Sequence, residues 1–279
     1  INTVKAELDK EDATIGHVRI TSFAKNTAQE LEKAVKDLTD KGAKAFVFDV
    51  RYNPGGLLDQ AYKVANMFLK DGEPIVQVED RFGEKKIYKA SSDIGKFKIT
   101  QPYVLLVNEG SASASEILAA AVKEGAGAQI VGTKTYGKGT VQSVIDISDN
   151  SELKYTNAKW LTPNGNWIHK EGVTPTKEVN LPDYAFLKII DARETLKEGS
   201  VSQNVLSVET ILKGLGYSVT ADGYFDSATQ EAVKSYQQKE GLTVTGEVDE
   251  ETAQKLMNSV RQLIQENDTQ YQAAKELLK

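Results

Sequence analysis

A short apolar strand, Tyr103 to Val107, runs into Asn108-Glu109-Gly110-Ser111-Ala112-Ser113-Ala114-Ser115-Glu116. A helix follows, with Ile117, Leu118, Ala121 and Val122 as its apolar stripe. An earlier stretch repeats the grammar. The apolar strand Ala45-Phe46-Val47-Phe48-Asp49-Val50 leads into Asn53-Pro54-Gly55-Gly56, and a helix follows from about Leu57 to Leu69. Strands that alternate with helices predict an α/β layered domain with a partly parallel sheet. In such sheets ligands sit at the carboxyl ends of strands, where both small-residue turns fall.

Other elements fit the same layering. Ile15 to Ile20 reads as a strand with Val18 and Ile20 on one face. Thr27 and Glu30 form a capping-box pattern ahead of Leu31, Ala34, Val35 and Leu38. Ile130-Val131 is a short strand, and Thr140–Ile147 and Leu153–Trp160 alternate like two more.

At 279 residues the chain is long for one domain. Composition shifts after Pro182, which divides a core over residues 1–182 from the rest of the chain. Asp183 to Leu196 reads as a helix, and residues 183–203 as helix plus linker. Residues 204–258 read as a small three-helix module, with Asp226 or Ser227 and then Asp249 as caps. Residues 259–279 read as a charged C-terminal helix that docks on another domain or on another subunit. The net charge of −6 and the absence of a basic face argue against nucleic acid as a partner. No apolar run approaches the roughly 20 residues of a membrane span. Cysteine is absent, which removes disulfides and thiolate metal sites and fits an exported bacterial protein.

The chemistry follows from the two turns and one more segment. A hydroxyl on a small-residue turn at a helix start lies beside unpaired N–H groups that favour an oxyanion. Gly137-Lys138-Gly139-Thr140-Val141-Gln142 supplies a lysine between glycines that allow close backbone approach. A lysine buried away from carboxylates loses the preference for its cation and can accept a serine proton. On a strand, Gln142 faces the same side as Lys138 and can orient the amine. The amide of Ala114 and one from the Gly55-Gly56 turn complete an oxyanion hole. Spacing leaves Ser111, Ser113 and Ser115 equal as nucleophiles. The two histidines, His17 on a strand face and His169 in a loop, read as non-catalytic. No cluster has metal-ligand spacing, so neither metal nor cofactor is expected. Gly132 to Lys138 imitates a phosphate-binding loop, but Gly139 replaces the required Ser or Thr and a strand pattern comes next.

Three blocks together resemble the C-terminal processing (tail-specific) serine peptidases. They are Asp49-Val50-Arg51-Tyr52-Asn53-Pro54-Gly55-Gly56, Gly110 to Ile117, and Thr135-Tyr136-Gly137-Lys138-Gly139-Thr140-Val141-Gln142. Thr162-Pro163-Asn164-Gly165 and Gly172-Val173-Thr174-Pro175 resemble the family's closing segment, so the likeness spans about residues 1–180. Tyr52 stands where many members have another polar residue, and Tyr136 where many have Phe. The resemblance implies a layered, crotonase-like core with a mixed sheet, Ser113 as nucleophile, Lys138 as general base and Gln142 as third member. It also implies oxyanion donors on the amides of Gly56 and Ala114, and protein or peptide substrates cut near their carboxyl ends. Members usually carry a PDZ domain ahead of this core, and the chain starts about where that domain would end.

The segment around 204–258 resembles the small peptidoglycan-binding three-helix domain through Leu212-x-x-Leu215-Gly216-Tyr217, Asp222-Gly223-x-Phe225 and Ala232-Val233-x-x-Tyr236-Gln237. Glu209 replaces a usual Gln there, and Tyr236 a usual Phe. The implied setting is extracytoplasmic, in the envelope of Gram-positive bacteria including spore formers. Peptidoglycan is then a candidate partner, and a homodimer through the C-terminal region another. Two further readings stay open: a wall- or protein-binding module with an inactive core, and a crotonase-like acyl-CoA enzyme. The second leaves Ser113, Lys138 and Gln142 without a purpose.

Overall fold

The computed structural model describes residues 2–148, 151–191, 193 and 195–279. The chain forms two compact units, residues 1–180 with 270–279, and residues 181–269.

The first unit is built on a six-stranded sheet. Its strands are β1 (Val4–Leu8), β2 (Ile15–Ile20), β3 (Ala45–Asp49), β6 (Tyr103–Val107), β7 (Gln129–Gly132) and β10 (Lys177–Glu178), adjacent in that order. β1 runs antiparallel to β2, and the other pairings are parallel. Helices α1 (Thr27–Asp40), α2 (Leu58–Asn66) and α3 (Ala114–Gly125) contribute to one large core with Phe46 and Phe48. Every residue of β3 is buried, and its Val47 belongs to a separate core with Val104, Leu106 and Val131. The cover on that second face is α7 (Thr269–Glu276), through Ala273 and Ala274. Parallel strands demand cover on both faces, and the last helix of the chain supplies half of it. The tail therefore docks on its own core.

A second sheet of four strands belongs to the same unit. Its order is β5 (Lys85–Lys89), β4 (Pro74–Asp80), β9 (Ser151–Leu161) and β8 (Thr140–Ser148), all antiparallel. The Gly132–Lys138 segment leads into β8 rather than a helix, as its β-branched continuation predicts.

Several local expectations are revised by long-range partners. The Thr27/Glu30 pattern does not cap α1, whose N-cap Asn26 makes no side-chain bond. Glu30 instead accepts from the amides of Thr3 (2.7 Å) and Val4 (3.1 Å), tying α1 to β1. The helix expected up to Leu69 stops at Asn66, because Lys98 takes the carbonyls of Asn66 and Leu69, both at 2.9 Å.

In the second unit, α4 (Gln203–Gly214), α5 (Ser227–Glu240) and α6 (Glu250–Glu266) pack around Val208, Leu212, Phe225, Val233, Tyr236 and Leu256. Ser202, Asp226 and Asp249 cap them by accepting from the amides of Val205 (3.2 Å), Thr229 (2.8 Å) and Thr252 (2.8 Å). The helix expected over Asp183–Leu196 is a single 3₁₀ turn, Asp183–Phe186. Beyond that turn the chain packs Leu187 and Ile190 into the core and pairs Leu196 with Val248; Ala192 and Glu194 lie outside the described residues. Residue 259 marks no break, since α6 runs through it to Glu266 before α7 begins.

Candidate active site

The three serines part company in the folded chain. Ser111 is fully buried, donating to the Val50 carbonyl (2.8 Å) and accepting from the Asn108 amide (3.0 Å). Ser115 is fully buried and donates to the Asn53 carbonyl at 2.9 Å. Ser113 is half-buried and lines a cleft of about 240 Å³. It sits just before α3 with φ 54° and ψ −111°, a backbone state that costs on the order of 1–3 kcal/mol in a non-glycine residue. Such a sharp turn from strand to helix sets the serine at the edge of the cleft.

The same cleft is lined by Gly56, Ala114, Lys138 and Gln142, so all five residues singled out from the sequence meet there. Leu57, Leu58, Ile117, Val141 and Trp160 give it an apolar floor, and Lys154 and Thr140 add polar groups. The glycine turn lies hard against the serine turn. A side chain on Gly55, at φ 102°, would meet Ala112 O at 2.8 Å and the Ser113 Cβ at 2.9 Å. One on Gly56, at φ 145°, would meet the Phe23 carbonyl oxygen at 2.2 Å. Buried Asn53 fixes the two turns together. Its side chain donates to the Ile20 carbonyl (2.8 Å) and accepts from the Gly55 amide (2.9 Å), and its own carbonyl takes the Ala112 amide at 3.0 Å. Gly55 is thus spent as a donor. No acceptor among the described residues takes the amide of Gly56 or that of Ala114, the first residue of α3.

Lys138 is half-buried just ahead of β8, and among the described residues no carboxylate lies within ion-pair distance of its amine. No hydrogen bond joins Ser113 Oγ to Lys138 Nζ; ligand-free sites often close such contacts only around substrate. Gln142 reaches the cleft from β8, past a register shift between Val141 and Gln142, and is exposed. Lys138 precedes the strand, and Lys138, Thr140 and Gln142 all line the cleft; the residue left over at the register shift is Asn157 on β9.

The strongest tie in the site comes from a residue given no role by sequence reasoning. Glu116 is fully buried. Its Oε2 accepts from the amides of Ser113 (2.8 Å) and Lys138 (2.8 Å). Its Oε1 accepts from the Gly137 amide (2.7 Å) and the Thr135 hydroxyl (2.5 Å). One carboxylate thus holds the serine turn and the lysine segment in register. The Ser-x-x-Glu spacing, a capping-box signature, is the signal that points to it. Trp160 adds a second hold, donating from Nε1 to the Lys138 carbonyl at 2.8 Å. In a Glu116→Gln variant one acceptor becomes a donor facing backbone N–H groups. Thermal unfolding should show a loss of about 2–3 kcal/mol. Single-turnover cleavage should slow on the order of 10²-fold, since misplacement of the pair by ~1 Å costs that much.

The histidines stand apart. His17 Nε2 lies 3.4 Å from Asp49 Oδ2, and its ring packs on Tyr271. Burial would raise the Asp49 carboxyl, but the His17 contact and the Arg51 guanidinium hold it well below the usual carboxylate range. His169 stacks on Trp167. Neither histidine lines the cleft. A larger cavity, about 750 Å³, lies in the second unit beside Ile190 and Met257 and holds none of these groups.

The chain is similar to several known proteins. The chain is 43% identical to carboxy-terminal processing protease CtpA of Bacillus subtilis (strain 168) over all its 279 residues, which are 59% of that protein. It is 37% identical to CtpB of the same organism over 94% of this chain and 54% of that protein. The chain thus spans a little over half the length of the curated relatives it matches. Among solved structures, the photosystem II D1 C-terminal processing protease superposes with a TM-score of 0.56 at 35% identity, covering 64% of this chain and 49% of that one. Residues 201–256 match the putative peptidoglycan binding domain. Residues 14–179, which hold the cleft and both turns, match Peptidase family S41, and the chain belongs to that family.

Proposed function

We propose that this chain is a serine endopeptidase of the Ser-Lys-Gln type, acting on protein substrates near their carboxyl ends. The observation that carries the reading is the fate of the three serines: of the three, only Ser113 lines the cleft, together with Lys138, whose amine has no carboxylate within ion-pair distance among the described residues, and with Gly56 and Ala114, whose amides have no acceptor among those residues. Ser113 Oγ attacks the scissile carbonyl carbon while Lys138 takes its proton. The oxyanion is held by the amides of Gly56 and Ala114, each worth roughly 3 kcal/mol of barrier. Collapse expels the amine, which receives the proton from Lys138 and leaves an acyl-enzyme on Ser113. Water activated by Lys138 then releases the acid. Gln142 orients the amine. Cleavage near the carboxyl end is supported by the names of the relatives.

The match of residues 201–256 to a peptidoglycan binding domain supports an envelope location with cell wall as a partner. The α7 surface that would serve a dimer is spent on the chain's own sheet, which favours intramolecular docking over dimerisation. Treatment with a fluorophosphonate followed by peptide mass spectrometry tests the mechanism. The adduct is expected on Ser113; an adduct confined to Ser111 or Ser115 would refute it.

A further inference from the structure

The tail of the chain reaches the glycine turn through one side chain. Gln270, at the start of α7, is 1% exposed. Its Nε2 donates to the Val179 carbonyl at 2.8 Å, and its Oε1 accepts from Arg51 Nη1 at 3.0 Å. Val179 directly follows β10, and the first unit breaks off at Asn180 and resumes at Gln270. Gln270 therefore bridges the point where the chain leaves the first unit and the point where it returns, and joins both to Arg51.

Arg51 opens the loop that carries Gly56. Its guanidinium grips Asp49 through Nε (3.0 Å) and Nη2 (2.8 Å), and its own amide donates to Asp49 at 2.9 Å. Tyr52 follows at φ 58° with its amide on the Asn108 side chain at 2.8 Å, and Asn53 then locks on to the serine turn. A shift of Arg51 cannot be absorbed in that loop, because each of the next two residues is already bonded to the serine segment. Farther along α7, Lys275 pairs with Asp9 (3.3 Å) and Glu11 (2.8 Å), so the helix is anchored at both ends.

We propose that Gln270 is a positioning residue for the oxyanion turn: the tail of the chain, fixed on Arg51, sets where the Gly56 amide sits opposite Ser113. The inference rests on the Ser113 reading above. It makes the rate of acylation depend on the two connections to the second unit, since both converge on this side chain.

The test uses the full chain and three variants. Gln270→Leu removes both bonds at similar volume, Gln270→Glu keeps an oxygen acceptor for Arg51, and Lys275→Ala loosens the far end of α7 without touching Arg51. The readouts are the fluorophosphonate labelling rate of Ser113, kcat and KM on an unfolded protein substrate, the titre of labelled sites and the melting temperature. Gln270→Leu should slow labelling and kcat by about tenfold with KM within twofold and a full titre, as expected for a small displacement of one donor. Gln270→Glu should recover most of the loss, and Lys275→Ala should keep the wild-type labelling rate. Equal labelling rates in wild type and Gln270→Leu would overturn the inference while leaving Ser113 as nucleophile. A fall in Gln270→Leu that is accounted for by a lower titre and melting temperature would also overturn it. Failure to label Ser113 in the wild type would instead remove the mechanism on which the inference stands.

Discussion

Ser113→Ala should abolish cleavage of an unfolded protein substrate, by about 10⁴-fold or more, while the melting temperature stays within a few degrees of wild type. The side chain is half-buried and its hydroxyl is bonded to no distant residue among those described, so its loss removes chemistry and little packing. Ser111→Ala and Ser115→Ala should show the reverse pattern. Their hydroxyls are fully buried and bonded to the carbonyls of Val50 and Asn53, so truncation should cost about 1–3 kcal/mol and leave kcat within a few-fold once folded protein is counted. Cleavage rate set against thermal unfolding separates the two classes. Undiminished turnover by Ser113→Ala would defeat the assignment.

The second large effect concerns Lys138. Both Lys138→Ala and Lys138→Arg should lose on the order of 10³-fold or more in kcat, with KM nearly unchanged. The arginine variant is the sharper of the two. It keeps a cation and similar length, but a guanidinium does not give up its proton in a protein and cannot act as base. A role for Lys138 in simply holding charge near the oxyanion would let arginine rescue activity. Neither change should destabilise the fold by more than about 0.5 kcal/mol, since the amine makes no ion pair among the described residues. Pre-steady-state release of the amine product from each variant distinguishes slow acylation from slow deacylation.

The layered fold was legible because its signals are local. The apolar runs at Ala45–Val50 and Tyr103–Val107, the small-residue turns and the helical stripes that follow need only neighbouring residues, and the strand–turn–helix units they predict are present. The caps at Asp226 and Asp249 are local too, and they form. Where the reading went astray, a distant partner had taken over. Glu30 fits a capping box by spacing, yet the amides of β1 claim it. The apolar residues between Asp183 and Leu196 fit a helix, yet Leu196 gains more by pairing with Val248.

Residue types and order were enough to place a serine turn, a glycine turn and a lysine segment in one domain and to name the family they resemble. Choosing among Ser111, Ser113 and Ser115 was not open to spacing, because all three share a turn and differ only in what surrounds them. Burial separates them, and that separation is what supports the proposal of Ser113: Val50 and Asn53 consume two of the hydroxyls, and the third serine lines the cleft. The same holds for Glu116 and Gln270, whose partners lie 22 and 219 residues away at their farthest. Periodicity and propensity act over a turn or two of chain. Desolvated polar groups must find partners wherever the fold brings them, and that demand, invisible along the sequence, is what sets the geometry of the cleft.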